Sequence, residues 1–129
     1  MKMLLIMAAT VVAFMVGIHT VLQNGSLVRH FDTHPHPKRV PALEYYIAGG
    51  YYLVGDLQQS ATYYQRVAER YPESPYADDA YFGYLQALDD MNTPRMHMAE
   101  LYQTYLDKFP EGNHHQVAFK RIEYCRNAR

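Results

Sequence analysis

Four side chains with metal-ligand chemistry fall within seven residues: His30, Asp32, His34 and His36. Imidazole and carboxylate are donor types that zinc or copper accepts. Spacings of four and then two do not reproduce a common closed site, and no cysteine lies nearby to help. The plainer reading is a polar strap, with these four as weak metal candidates only. His19 sits near the end of an apolar stretch, where an imidazole could ligate a haem iron or a pigment magnesium, but also where it can reach water or headgroups. The paired carboxylates Asp78-Asp79 and Asp89-Asp90 are expected at a helix start and in a turn, not as an acid/base couple. His114-His115 falls at another helix start. No glycine-rich phosphate loop and no nucleophile–base motif is present, so we expect no catalytic residues, no enzyme activity and no cofactor.

Those residues sit between two very different stretches of chain. Residues 3 to 28 contain no Asp, Glu, Lys or Arg. A helix from Met3 to Leu22 would be roughly 30 Å long, about one hydrocarbon core. Thr10 can bond back to its own helix. The competing reading is a cleaved signal peptide, which Lys2 would suit. Against it, the apolar run is long and no clean small-x-small site follows. We therefore expect an uncleaved anchor at 1–23, in contact with lipid through residues 3–22. Positive charges nearly balance across the span (the α-amine and Lys2 against Arg29, Lys38 and Arg39). A short basic start before one span behaves as a signal-anchor, with the amino end inside and the rest outside. Residues 24–40 form a Pro/His-rich linker. Pro35 and Pro37 push their predecessors towards extended backbone and stiffen it. The net charge of −1 gives no basic field for nucleic acid. Cys125 is the only cysteine and has no internal partner.

The remaining stretch, 41–129, repeats itself. Residues 61–73, ATYYQRVAERYPE, return at 99–111 as AELYQTYLDKFPE, an offset of 38. A period in the range of roughly 20–50 residues marks a stacked repeat, in which each unit buries its face against its neighbours. Five helices are predicted. The first, Ala42 to Val54, would set Leu43, Tyr46, Ile47, Gly50, Tyr51 and Val54 on one face. Gly55-Asp56 breaks and recaps the chain. The second runs Leu57 to Tyr71 with Ala61, Tyr64, Val67, Ala68 and Tyr71 inward. The third opens on Ser74-Pro75 and reaches about Leu88, burying Ala77, Ala80, Tyr81, Tyr84, Leu85 and Leu88. Asp89 to Pro94 is a turn with Thr93 as cap. The fourth is Pro94 to Phe109. The fifth, about His114 to Asn127, turns Val117, Ala118, Ile122 and Cys125 inward, with Arg121, Arg126 and Arg129 towards its carbonyl end.

These residues resemble the tetratricopeptide repeat family. Ala48 and Tyr51 take the small and aromatic positions of a first helix, Gly55-Asp56 the turn, Tyr64 the aromatic of the second helix, and Pro72 the closing proline. Ser60 stands where Ala is usual. A second unit matches through Tyr102 and Pro110 but carries Gln86 at the small position and a longer turn. The segment TYYQRVAERYPESPYADDAYFGYLQAL is similar to repeats of bacterial envelope proteins. The resemblance implies an all-α chain: one transmembrane helix, then a short solenoid of two helical hairpins and a capping helix. It further implies a concave groove that holds a protein segment, with Tyr45, Tyr52, Tyr84 and Gln86 as groove candidates by position. Two repeats and one helix fall short of the three or so that stand alone, so a partner over an open end is expected. With 13 Tyr, 5 Phe and no Trp, some rings should remain exposed as anchors. The expectation is a scaffold or accessory subunit of a larger bacterial membrane complex, single-pass in the inner membrane, with the repeat domain periplasmic. The alternative is a metal-, haem- or pigment-binding accessory protein that uses His19 or the linker histidines.

Overall fold

A computed structural model describes residues 1–128, with the side chains of Leu22 and Gln23 left aside. Arg129, expected at the end of the last helix, lies outside the described residues. Seven helices and no strand are found among the described residues. The chain divides into two compact units, Met1–His36 and Pro37–Arg129.

In the first unit, α1 spans Lys2–Gln23. Its window Lys2–Val21 has a mean hydropathy of 2.2 and buries none of its surface within the protein. That length and apolarity suffice to cross a bilayer. The two threonines do not oppose it, because Thr10 donates to the carbonyls of Ile6 and Met7, and Thr20 to that of Val16. Gly25, at φ 64, turns the chain into α2, Ser26–Thr33. An irregular connector was expected here, and residues 26–33 are instead helical. The Thr33 hydroxyl satisfies the carbonyls of Arg29 and His30. Pro35 then bars continuation, leaving His34 at φ −127.

In the second unit the helices are α3 (Arg39–Leu53), α4 (Leu57–Arg70), α5 (Ala77–Asp90), α6 (Arg95–Lys108) and α7 (His115–Asn127). α3 starts ahead of Pro41, which still lies in the first turn, where a missing N–H costs nothing. Gly55 takes φ 82, and the Asp56 carboxylate accepts from the Gln59 N–H at 3.2 Å, so the expected break and cap both form. α4 and α6 stop alike: Tyr71 (φ −129) precedes Pro72 and Phe109 (φ −126) precedes Pro110. Asp89 and Asp90 were expected in a turn but belong to α5, which ends only where Asn92 adopts φ 60. Thr93 does not cap α6; Pro94 occupies the cap position with no side-chain hydrogen bond.

Within the second unit each helix packs on the next, and α3 also touches α5. The main apolar core joins α4 to α7 through Ala68, Phe82, Leu85, Met98, Tyr102, Tyr105 and Ile122. Between α3 and α4 the contacts are partly polar. The Ser60 hydroxyl donates to the Ala48 carbonyl at 2.8 Å. Glu44, with 0% exposure, pairs with Arg66 at 2.8 Å.

The buried face of α3 is Val40, Pro41, Glu44, Ala48 and Tyr51. Of the face expected inward, only Tyr51 is buried. Leu43, Tyr46 and Val54 are 51%, 66% and 78% exposed, as is Leu53 at 87%. α3 is apolar on almost every side, so periodicity alone does not select a face; the Glu44–Arg66 pair and small Ala48 select it. On α7, Ala118, Ile122 and Cys125 are buried as expected, whereas Val117 is 50% exposed.

The sequence offset of 38 holds in the structure. α4 and α6 begin and end at corresponding residues. Ala61 and Ala99 are both buried, as are Val67 and Tyr105. The Gln65–Glu69 side-chain bond (2.9 Å) recurs as Gln103–Asp107 (3.2 Å).

Candidate functional site

A cavity of about 240 Å³ in the second unit is formed where α3, α5, α6 and α7 approach one another. Tyr52 comes from α3; Phe82, Gln86, Asp89 and Asp90 from α5; Tyr102 from α6; Val117 and Arg121 from α7. Helical spacing explains the α5 contribution, since residues 82, 86 and 89 share one side.

Two carboxylates at the end of α5 organise the polar wall. Asp89 accepts from the Tyr102 hydroxyl at 3.2 Å and from the Arg121 guanidinium. Asp90 accepts from the Tyr52 hydroxyl. Burial, and secondarily the Asp89 charge, raises the Tyr102 pKa well above its ordinary value. The Tyr52 pKa is raised chiefly by its bond to Asp90. Both phenols are therefore neutral donors at physiological pH. Burial pulls the Arg121 pKa down, but the bonded Asp89 carboxylate outweighs it and the net shift is upward.

The aromatic part lies alongside. The Tyr64 ring from α4 rests on Gly83, whose absent Cβ would lie 2.8 Å from that ring, while the Tyr64 hydroxyl passes 3.6 Å from the same position on Gly49. Glycine on α5 thus makes room for the ring, whereas a Cβ on Gly49 would meet the hydroxyl at an ordinary contact distance. Tyr45 packs edge-on to Tyr64 at 5.6 Å and lies 5.2 Å from Tyr76. At the opposite end of α5, Asp78 accepts from the Tyr105 hydroxyl and from the Asn113 N–H. Asp79 meets His114 Nε2 at 2.8 Å, and the His114 ring stacks on Phe82 at 4.1 Å. This pair fastens the α6–α7 turn to α5.

Of the groove candidates, Tyr52 and Gln86 are brought together in the cavity, and Gln86 is exposed. Tyr45 belongs to the neighbouring ring cluster. Tyr84 does not join them: two residues from Gln86 it points about 200° away, and it packs edge-on to Tyr81 at 6.1 Å. Asp89, Asp90, Tyr102 and Arg121 were not singled out as groove residues in the sequence. The available signal was Asn92 before Thr93-Pro94, an αL helix end that keeps both aspartates helical.

The linker residues do not assemble a metal site. The His30 and His34 rings stack at 4.7 Å, His34 Nδ1 lies 2.9 Å from the Thr33 hydroxyl, and no group of three or more potential ligands occurs among the described residues. His19 lies exposed on α1.

Compared with known proteins, the chain matches no family model, no curated protein sequence and no solved structure.

Proposed function

We propose that this protein is a membrane-anchored adaptor: α1 crosses the bilayer once, and α3–α7 form a short tetratricopeptide-like solenoid that holds a segment of another protein. The observation that carries this reading is the meeting of Tyr52, Gln86, Asp90 and Arg121 from three helices around one cavity. Neutral phenols, an exposed amide and a carboxylate offer donors and acceptors to a peptide backbone, and the adjoining tyrosines offer apolar contact area. Asp90 is exposed, while the one cavity cation, Arg121, is engaged by Asp89. This charge balance suits a segment that carries a basic side chain. The setting that accords with the anchor is a bacterial inner-membrane assembly with the solenoid on the periplasmic side.

Gentle detergent extraction followed by native mass measurement tests the proposal. The expected result is co-migration with a second polypeptide, released by Asp90→Lys. If the chain carries no other protein under mild extraction, the adaptor reading fails.

A further inference from the structure

Tyr45, Gly49 and Tyr52 fall on one face of α3, and Asp79, Gly83, Gln86 and Asp90 on one face of α5, because each set recurs at spacings of three and four. The Tyr64 ring from α4 links the two faces. It lies against Gly83, and its hydroxyl is 3.6 Å from the Cβ position of Gly49. It also meets Tyr45 edge-on, and Tyr45 in turn meets Tyr76, the residue before α5. Between α3 and α5 there is thus a cleft with a half-buried tyrosine at its floor and half-buried Tyr45 and Tyr52 along one wall.

The dimensions of the cleft select among peptide shapes. α3 touches α5, so a helical segment of roughly 10–12 Å diameter would ride on the rims without reaching Tyr64. Tyr45 and Tyr52 stand two helical turns apart on α3, about 10.5 Å along its axis. An extended strand sets same-side residues about 6.8 or 13.6 Å apart. A polyproline II helix repeats every three residues, about 9.3 Å, which is the closest match. Residues i and i+3 of such a segment therefore reach both rings.

The chemistry agrees with the shape. A polyproline II backbone makes no internal hydrogen bonds. Its carbonyls are free to accept from the exposed Gln86 amide, which shares the cavity with Tyr52. Proline rings lay flat apolar surface on tyrosine, and aromatic-lined grooves take proline-rich segments in this way. Charge sets the flank. The basic groups that face the cleft from α7 and its start are Arg121 and His114, and each is bonded to a carboxylate of α5, Asp89 and Asp79. Exposed Asp90 accepts from the neutral Tyr52 phenol instead and keeps its full charge.

We infer that the segment held by this site is proline-rich and in polyproline II form, with prolines three apart on Tyr45 and Tyr52 and an Arg or Lys beyond the second, beside Asp90. The inference deepens the adaptor reading and rests on it. The test titrates labelled peptides into the full chain in zwitterionic lipid nanodiscs, with binding read by fluorescence anisotropy. One peptide is a run of prolines ending in arginine; the other, of equal length and charge, replaces the prolines by Gly-Ser repeats. The proline peptide is expected to bind at least about tenfold tighter, since it is pre-extended and loses less entropy. Tyr45→Leu and Tyr52→Leu, at unchanged helicity, should each weaken it by about tenfold, the loss expected of an aromatic anchor. Phe119→Leu on α7 should leave it unchanged. Asp90→Asn should erase the preference for Arg over Glu at the end of the proline run, while a peptide of proline alone still binds.

Equal affinity for the proline and Gly-Ser peptides overturns the inference. So does binding untouched by both tyrosine variants, or an Arg preference that survives Asp90→Asn. A chain that co-migrates with another polypeptide yet ignores the proline peptide keeps the adaptor reading and loses this one. A chain that extracts alone fails the adaptor reading whatever the peptides do.

Discussion

The two ends of the second unit solve the same packing problem in opposite ways. At the α5–α7 end, each aspartate of α5 is answered: Asp78 by Tyr105 and Asn113, Asp79 by His114, Asp89 by Tyr102 and Arg121, Asp90 by Tyr52. At the α3–α4 end, an ion pair to the buried Glu44 and the Ser60–Ala48 hydrogen bond tie the helices, and the buried hydroxyls of Tyr51 and Tyr63 have no hydrogen-bond partner among the described residues. The outer faces differ as well. Tyr81 and Leu85, buried on α5, correspond in the 38-residue register to Phe119 and Glu123 on α7, both exposed. α7 thus turns a largely polar face to water, while α3 turns an apolar one. One end is polar towards water and the other apolar.

The largest expected effect is alkaline unfolding. Tyr63, Tyr81, Tyr102 and Tyr105 all have pKa values raised above 10.0, with burial the first cause in each. A folded-state pKa above the unfolded value stabilises the fold fully below pH 10, and that stability is lost as pH rises through the folded values. Tyrosinate absorbance should therefore lag a free-tyrosine titration and then appear together with loss of helicity. An ordinary titration with helicity intact would remove the burial argument. Next, Arg66→Ala removes the guanidinium from the buried Glu44 carboxylate and should cost about 3–5 kcal/mol in urea denaturation, more than any single change in the Asp89 network. Gly83→Ala drives a Cβ against the Tyr64 ring and should cost about 1–3 kcal/mol; if it is neutral, Tyr64 is not seated on that glycine. Tyr102→Phe removes one bond to Asp89, which keeps Arg121, and should cost about 1 kcal/mol. Phe119→Ser, on the exposed side of α7, should stay within about 0.5 kcal/mol, and a larger loss would mean that this side of α7 does not face water.

The all-α class, the apolar first helix and the helix ends set by Gly55-Asp56, Pro72 and Pro110 were legible because their signals are local, whereas the start of α3 and the end of α5 were not. Pro72 and Pro110 stop helices, Gly55-Asp56 turns and caps, and hydropathy marks α1. The inner face of α3 was not legible, because apolar residues surround that helix and the deciding feature, Glu44, pairs with Arg66 more than twenty residues away. The cavity was half legible. Tyr52 and Gln86 follow from the repeat register. Asp89, Asp90 and Arg121 depend on where α5 ends and on what replaces Gly83 in the second copy of the motif. There Arg121 stands in place of glycine, and Tyr102 meets a guanidinium where Tyr64 meets a backbone.

The most direct test of the central claim is site-specific photo-crosslinking in intact membranes, with the reactive group placed at Gln86 in the cavity and, separately, at Glu123 on the exposed side of α7. The account predicts a discrete protein adduct at Gln86 that disappears with Asp90→Lys, and none at Glu123. Equal adducts at both positions, or none at Gln86, would contradict it.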